Sequence, residues 1–149
     1  MPREIERKFL MKDASWRAKA GRGVELIQGY LPTKDKLTAR VRLAGKKAWL
    51  TIKGPSQGMA RDEYEYAIPV KDARELLARY CGRRVVAKTR YRLGPWEVDE
   101  FSGRHRGLVV AEIELRSTQA KFKKPDWLGR EVTGRRRYDN SALADAPRR

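Results

Sequence analysis

The sequence predicts an α+β protein, mainly β, whose strands close or nearly close into a barrel with a charged lumen and helices packed outside. Three observations predict it. Strand-like runs with short helices between them fill most of the chain. On nearly every such run, charged residues recur at i and i+2, the spacing that puts them on one face of a strand, roughly 6.6 Å apart. The strand count, about eight, is enough to close a sheet on itself.

The first strand is Arg3 to Phe9, where Glu4, Glu6 and Lys8 share one face and Ile5, Arg7 and Phe9 the other. "DASWRAKAG" reads as a short helix, with Asp13 as N-cap and Gly21 past its end. "VELIQGYL" (24–31), "LTARVRL" (37–43) and "KAWLTIKG" (47–54) are strands, the last closed by Gly54-Pro55. "RDEYEYAIP" (61–69) is a strand stopped by Pro69. "DARELLARYCG" is the clearest helix: Asp72 and Glu75 form a capping-box-like pair, Leu76, Leu77 and Tyr80 give an apolar face, and Gly82 is the stop. "RVVAKTRYRL" (84–93), "WEVDEF" (96–101) and "VVAEIELR" (109–116) are strands. Residues 117–131 read as helical and then loop-like around Lys124-Pro125. The domain is a single unit over 1–149, with about 141–149 expected to be a loose tail.

The charges sort by strand. An acid pair with a base (Glu4, Glu6, Lys8) is followed by a base pair (Arg40, Arg42), a lone base (Lys53) and an acid pair (Glu63, Glu65). A base triplet (Lys88, Arg90, Arg92) and two further acid pairs (Glu97 and Asp99, Glu112 and Glu114) follow. One Glu-x-Glu is most often a solvated face. The joint pattern instead predicts a lumen, with Ile5, Phe9, Val41, Leu43, Val98, Ile113 and Leu115 turned outward under the helices. Like charges gathered in a lumen are costly unless ligands neutralise them. Divalent cations suit the acids, and a polyphosphate suits the bases.

Composition narrows the partners. The formal net charge is +16, which attracts polyanions: nucleic acid, anionic membrane or phosphate-rich small molecules. The single cysteine, Cys81, excludes an internal disulfide and fits a reducing cytoplasm. With one histidine, a His-rich zinc site is excluded, so a metal would take oxygen ligands and be magnesium, manganese or calcium. No apolar run reaches membrane-spanning length, so a membrane is not an expected partner.

Glu4-x-Glu6-x-Lys8 resembles the N-terminal ExExK signature of the CYTH superfamily, the triphosphate tunnel metalloenzymes. The resemblance continues through "QGYL" with Tyr30, "ARVR" with Arg40 and Arg42, "TIK" with Lys53 and "DEYEY" with Glu63 and Glu65. It resumes at "AKTRY" with Lys88 and Arg90, "VDEF" with Asp99, "AEIEL" with Glu112 and Glu114, and "EVTGRRRYDNSALA" with Arg137. It covers nearly the whole chain. The "TRY" and "RYxNxxLA" elements are most similar to the short bacterial branch that includes inorganic tripolyphosphatases. The resemblance implies an eight-stranded antiparallel tunnel that binds a triphosphate and divalent metal, Mg2+ or Mn2+.

By that resemblance, Glu4, Glu6, Glu112 and Glu114 hold the metals, with Asp99, Glu63 and Glu65 at a second metal or at the attacking water. Lys8, Arg40, Arg42, Lys53, Lys88, Arg90 and Arg137 grip phosphates, and Tyr30 near Lys8 acts in proton transfer, its phenol pKa lowered by the adjacent cation. The expected activity is hydrolysis of inorganic triphosphate, extending to nucleoside triphosphates. Two alternatives are an adenylate cyclase of the same fold and a non-catalytic polyphosphate- or RNA-binding module. Carboxylates in the lumen argue against the last, so nucleic acid is not an expected partner. The sequence leaves monomer and homodimer open.

Overall fold

The computed structural model describes residues 3–145. Nine strands form one antiparallel sheet: β1 (Arg3–Met11), β2 (Val24–Leu31), β3 (Thr38–Ala44), β4 (Lys47–Lys53), β5 (Ala60–Ile68), β6 (Val85–Leu93), β7 (Trp96–Phe101), β8 (Val109–Glu114) and β9 (Leu128–Glu131). Their order is β5-β4-β3-β2-β6-β7-β8-β1-β9, and β5 also pairs with β1. That last pairing closes eight strands into a barrel and leaves β9 as an extra strand outside the ring. The length of β1 makes this closure work. Along one edge, Glu6 to Leu10 pair with β8. Along the other, Arg3 to Ile5 pair with β5, while Phe9 and Met11 pair with β9.

Three apolar clusters hold the barrel. On one outer face, Val41 and Ala48 pack against Ala73, Leu76 and Leu77 of the helix α1 (Val70–Arg79). This helix starts two residues before Asp72, with Pro69 as its N-cap, so the expected Asp72–Glu75 capping box does not form. Proline suits a helix start because its φ is already fixed and its missing N–H would have no intrahelical partner.

On the opposite outer face, Phe9, Trp96, Val98, Ala111 and Ile113 are buried under Trp16 and Trp127. Here the cover is not the helices expected from sequence. Ser15–Lys19 is one short 3-10 turn, whose approach is fixed by Asp13 accepting the Ser15 N–H at 2.9 Å. Residues 117–127 carry no helix, and 128–131 form β9. Aromatic edges replace helical packing: Trp96 lies 5.6 Å from Phe9, 5.6 Å from Phe122 and 5.7 Å from Trp127 between ring centroids. Arg7 sits on this outer side, bonded to Glu131 at 2.8 and 2.6 Å and stacked over Phe122.

The third cluster lies inside one end of the barrel. Tyr30, Val86, Phe101 and Val110 meet Leu143 and Ala144. The last two belong to α2 (Asn140–Asp145), so residues 141–145 are a docked helix and not the loose tail expected; residues 146–149 lie outside the described residues. A six-residue helix does not persist alone in water. Burial of Leu143 and Ala144 supplies what its backbone lacks. No helix among the described residues is long and apolar enough to cross a membrane.

Gly29 on β2 leaves no room for a side chain under the end of α1 and Cys81. A Cβ there would lie 2.6 Å from Leu77 Cδ2 and 2.7 Å from Cys81 Sγ. Gly29→Ala should therefore lift α1 off β2 and destabilise the fold by about 1–3 kcal/mol, the usual cost of overpacking. Equilibrium urea unfolding checks this; an unchanged midpoint would show that the helix shifts freely.

Candidate active site

Strand alternation delivers the charged residues to the lumen. Register then decides which meet. Lys8 faces Glu112, Glu6 faces Glu114, Lys53 faces Glu63, Thr51 faces Glu65 and Arg90 faces Asp99 across neighbouring strands. All of these but Thr51 and Asp99 line an internal cavity of about 200 Å³. Glu4, Glu6, Lys8, Tyr30, Arg40, Arg42, Lys53, Glu63, Glu65, Lys88, Arg90, Glu112 and Glu114 all line it, so thirteen of the residues expected from sequence are brought together.

Two are not. Arg137 is exposed and its guanidinium lies over the Tyr138 ring, away from the cavity, because the chain there leaves the sheet and forms a 3-10 turn. Asp99 is buried behind the cavity wall between two bases. Its carboxylate lies 2.6 Å from Lys88 Nζ and accepts from Arg90 at 2.8 and 2.9 Å. In this arrangement Asp99 braces two cations and is not free to ligate a metal.

The bases divide into those already neutralised and those left bare. Lys53 lies 3.0 Å from Glu4 and 3.3 Å from Glu63. Arg40 touches Glu65 only at 3.7 Å and bonds to Thr51 Oγ1 at 3.3 Å. Its Nε is the single buried side-chain polar atom without a hydrogen-bond partner among the described residues. Arg42 donates to the neutral Gln28 Oε1 at 3.0 Å. Burial, with Arg40 and Arg90 nearby, pulls the Arg42 pKa down to about 10. Burial likewise brings Lys88 down to about 7, and Arg90 and Arg42 work in the same direction against Asp99. An uncompensated donor and two depressed cations are what an absent anion would relieve.

The acids show the complementary strain. Glu6, Glu112 and Glu114 form no ion pair within 4 Å among the described residues, whereas Glu4, Glu63, Glu65, Glu97 and Asp99 each do. Burial and the neighbouring Glu112 push the Glu6 pKa far above the usual carboxylate range. Burial opposes ionisation of Glu112 too, but Lys8, the hydrogen bond from Glu6 and Lys88 overcome it and keep Glu112 ionised. The Glu6 carboxyl is thus the member of the pair that favours its proton, where two carboxylates meet. Glu4 and Glu63 form a second such pair, with burial and Glu4 raising Glu63. Burial would depress the Lys8 ammonium, yet Glu112, Glu6 and Asp139 hold its pKa above the ordinary value.

A metal fits this donor set. Acid-only oxygen ligands on adjacent strands match a hard divalent cation, and such an ion would offset the repulsion that raises the Glu6 pKa. The carboxylates are not drawn into one coordination sphere here: no group of three among the described residues is close enough to hold an ion.

Several contributors were missed from sequence. Gln28 and Thr51 are fully buried neutral spacers between charges. Arg61 lines the lumen two residues before Glu63, so strand periodicity could have found it, as it found Glu97 beside Asp99. Asp139 and Asn140 had no such signal. They reach the lumen because α2 plugs the barrel. Asn140 Oδ1 accepts from Lys88 at 2.9 Å and from Gln28 at 3.1 Å, and the Tyr138 carbonyl accepts from Lys8 Nζ at 3.1 Å. From outside, Arg104 and His105 bond the Leu143 and Ala144 carbonyls, and Arg84 pairs with Asp145. Tyr30 also differs from expectation. Burial outweighs Arg40, Arg42 and Lys8 and raises the phenol pKa, so Tyr30 stays protonated at neutral pH.

Residues 2–148 match the CYTH domain. The chain belongs to the CYTH family. An inorganic triphosphatase of Acetivibrio thermocellus is 48% identical over 151 residues, spanning 99% of this chain and 96% of that protein. An inorganic triphosphatase of Nitrosomonas europaea is 40% identical over 149 residues, spanning 95% and 96%. The crystal structure of an inorganic triphosphatase superposes with a TM-score of 0.67 at 36% identity, covering 97% of this chain and 95% of that one. The closed barrel, the charged lumen and the signature residues of this CYTH chain therefore occur together in a family fold.

The raised Glu6 pKa gives a stability test. A raised value means the native state holds this proton more tightly than the unfolded chain does. The native state is therefore penalised increasingly as pH rises from the ordinary glutamate range through the raised value. Glu6→Gln removes that penalty. In chelator, the variant should gain stability over wild type as pH goes from 4 to 8, by at most about 1.4 kcal/mol per pH unit for one proton. Melting temperatures across that range check it; a pH-independent difference would remove the carboxyl pair.

Proposed function

We propose that this CYTH chain is a divalent-metal-dependent triphosphatase that hydrolyses inorganic triphosphate inside its tunnel, using Mg2+ or Mn2+. The observation that carries this reading is the juxtaposition of bare bases, with the orphaned Arg40 Nε, and carboxylates without ion pairs in one cavity. A pure polyanion binder has no use for those acids. The names of the two curated relatives support the same activity and favour it over a cyclase.

In this reading Arg40 and Arg42 take nonbridging phosphate oxygens through their guanidinium forks, and Lys8, Lys53, Lys88 and Arg90 add positive charge along the chain. Asp99 and Asn140 hold Lys88, and Asp99 holds Arg90, so these groups stay oriented when substrate arrives. Glu6, Glu112 and Glu114, with Glu4, would hold the metal. When bound, it supplies charge neutralisation and water activation for in-line attack. Glu63 and Glu65 sit across the lumen, where they can orient water or a second ion. Tyr30, as a protonated phenol, serves as a hydrogen-bond donor and not a base. Buried Cys81, with no disulfide partner, fits work in the cytoplasm.

Phosphate release from tripolyphosphate should vanish in EDTA and return with Mg2+ or Mn2+, because every available ligand is an oxygen. Activity surviving exhaustive chelation would sink the metal mechanism. The same assay run on ATP, with cyclic AMP measured alongside, separates hydrolase from cyclase.

Two adjacent charge reversals test the lumen directly. Lys8→Glu adds a carboxylate beside Glu6 and Glu112 and removes a phosphate contact; turnover should fall by 100-fold or more, on the order of the loss of positioned electrostatic stabilisation. Arg7→Glu reverses the same charge on the outer face, where it breaks the pair with Glu131. It should lower stability by about 1–3 kcal/mol while turnover of the folded fraction stays within about threefold of wild type. Equal loss of turnover in both variants would refute the face assignment.

A further inference from the structure

We propose that the vestibule beside the tunnel is an outer anion subsite, built by Lys36 and Arg136, that takes the phosphate units of a linear polyphosphate chain extending beyond the tunnel. This rests on the triphosphatase reading for what occupies the tunnel itself.

The vestibule is a cavity of about 720 Å³, more roomy than the tunnel, and the two share Glu4, Glu6, Lys8, Arg61 and Asp139 as common walls. It opens where the closure of the barrel is shortest. β5 pairs with β1 over Arg3 to Ile5; beyond it the Glu6 N–H bonds the Met59 carbonyl, and the Lys8 backbone is held by Thr133 and Val132. Glu6 and Lys8 nevertheless line both cavities, so the two spaces meet at these side chains.

Charge in the vestibule is unevenly spent. Lys8 lies 3.7 Å from Asp139, Arg61 lies 3.4 Å from Glu4 and Arg84 lies 2.5 Å from Asp145. Those three cations are matched. Lys36 and Arg136 line the same cavity and form no ion pair or side-chain hydrogen bond among the described residues. Two bare cations therefore face a space continuous with a phosphate-binding tunnel.

The backbone that carries Lys36 is strained. Asp35 and Lys36 both sit in the left-handed region, at φ 58° and 61°. Two consecutive non-glycine residues there are unfavourable, and glycine would fit the turn more easily. The turn is closed by the Leu37 N–H bonding the Lys34 carbonyl at 3.1 Å and by the Thr33 hydroxyl bonding the Leu37 carbonyl. A turn that keeps lysine where glycine would relax it points to a use for the side chain.

The remaining walls choose among ligands. Leu37, Pro55 and Met59 are apolar, but no Phe, Tyr or Trp among the described residues lines the vestibule. A nucleobase would find no ring to stack on, whereas further phosphate units would find two cations. The vestibule thus selects for purely inorganic chains and against nucleoside triphosphates.

Binding without turnover isolates the subsite. Calorimetric titration in EDTA compares linear tetrapolyphosphate with tripolyphosphate on wild type and on Lys36→Gly/Arg136→Ala. Wild type should bind the tetraphosphate about tenfold more tightly, as expected for one added set of charge-assisted bonds. The double variant should bind both chains about equally, with tripolyphosphate affinity within about threefold of wild type. Its melting temperature should not fall, since glycine relaxes the turn. Each single variant should lose part of the preference. A preference that persists in the double variant, an equal loss for both chains, or no preference in wild type would overturn the subsite. Phosphate release with Mg2+ is measured in parallel. Absence of hydrolysis together with the predicted binding pattern would refute the triphosphatase reading and leave the subsite standing.

Discussion

The structure depends on one constraint: many charges have been placed where water is scarce. A buried ion is costly unless paired, and breaking a buried pair is more costly still. The barrel meets this by register. Because neighbouring strands are antiparallel and closed, every inward residue has inward neighbours on both sides. Lys53 can therefore reach Glu4 on β1 and Glu63 on β5, and Asp99 can reach both Lys88 and Arg90 on β6. Where no opposite charge is within reach, neutral groups fill in. Thr51 links Arg40 to Glu65, and Gln28 links Arg42, Tyr30 and Asn140.

The balance is deliberately incomplete at two places. Arg40 and Arg42 lack a close carboxylate partner, and Glu6 and Glu112 meet with no ion pair within 4 Å among the described residues. These are the positions where ligand binding can release free energy, since the cost of desolvation has already been met on folding. The plug α2 belongs to the same economy of charge. It seals the apolar end with Leu143 and Ala144, and it presents Asn140 and the Tyr138 carbonyl to Lys88 and Lys8. Both lysines would otherwise leave donors unsatisfied at the barrel wall.

Much of this was legible in the sequence, for a physical reason. Strand periodicity is local, so Glu4, Glu6 and Lys8 could be assigned to one face and Arg7 to the other without knowing any neighbour. The strands 24–31 and 96–101 match the structure to the residue. What could not be read was set by contacts distant in sequence. Asp99 has the same local pattern as the lumen acids, yet Lys88 and Arg90 claim it. Tyr30 sits near cations, but its burial decides the sign of its pKa shift. Residues 117–127 carry helix-compatible composition but are held as coil by Phe122 and Trp127 seating on Phe9 and Trp96. The segment 140–145 is helical only because a hollow end of the barrel receives it.

Closure and access oppose each other in such a fold. A closed barrel admits a ligand only through its ends or past an interruption in its wall. Here the seam between β1 and β5 is three residues long, the shortest inter-strand pairing in the ring, and it lies directly beside Glu6 and Lys8. The same β1 is tied firmly elsewhere, to β8 along Glu6 to Leu10 and to β9 beyond it. Past the seam the β1 edge is not bare: the Met59 carbonyl takes the Glu6 N–H, and Thr133 and Val132 take the Lys8 backbone. Irregular chain thus satisfies the backbone where regular pairing with β5 stops, while the Glu6 and Lys8 side chains remain walls shared by the tunnel and the vestibule. The short seam lets the backbone be satisfied without a continuous strand walling the charge cluster off.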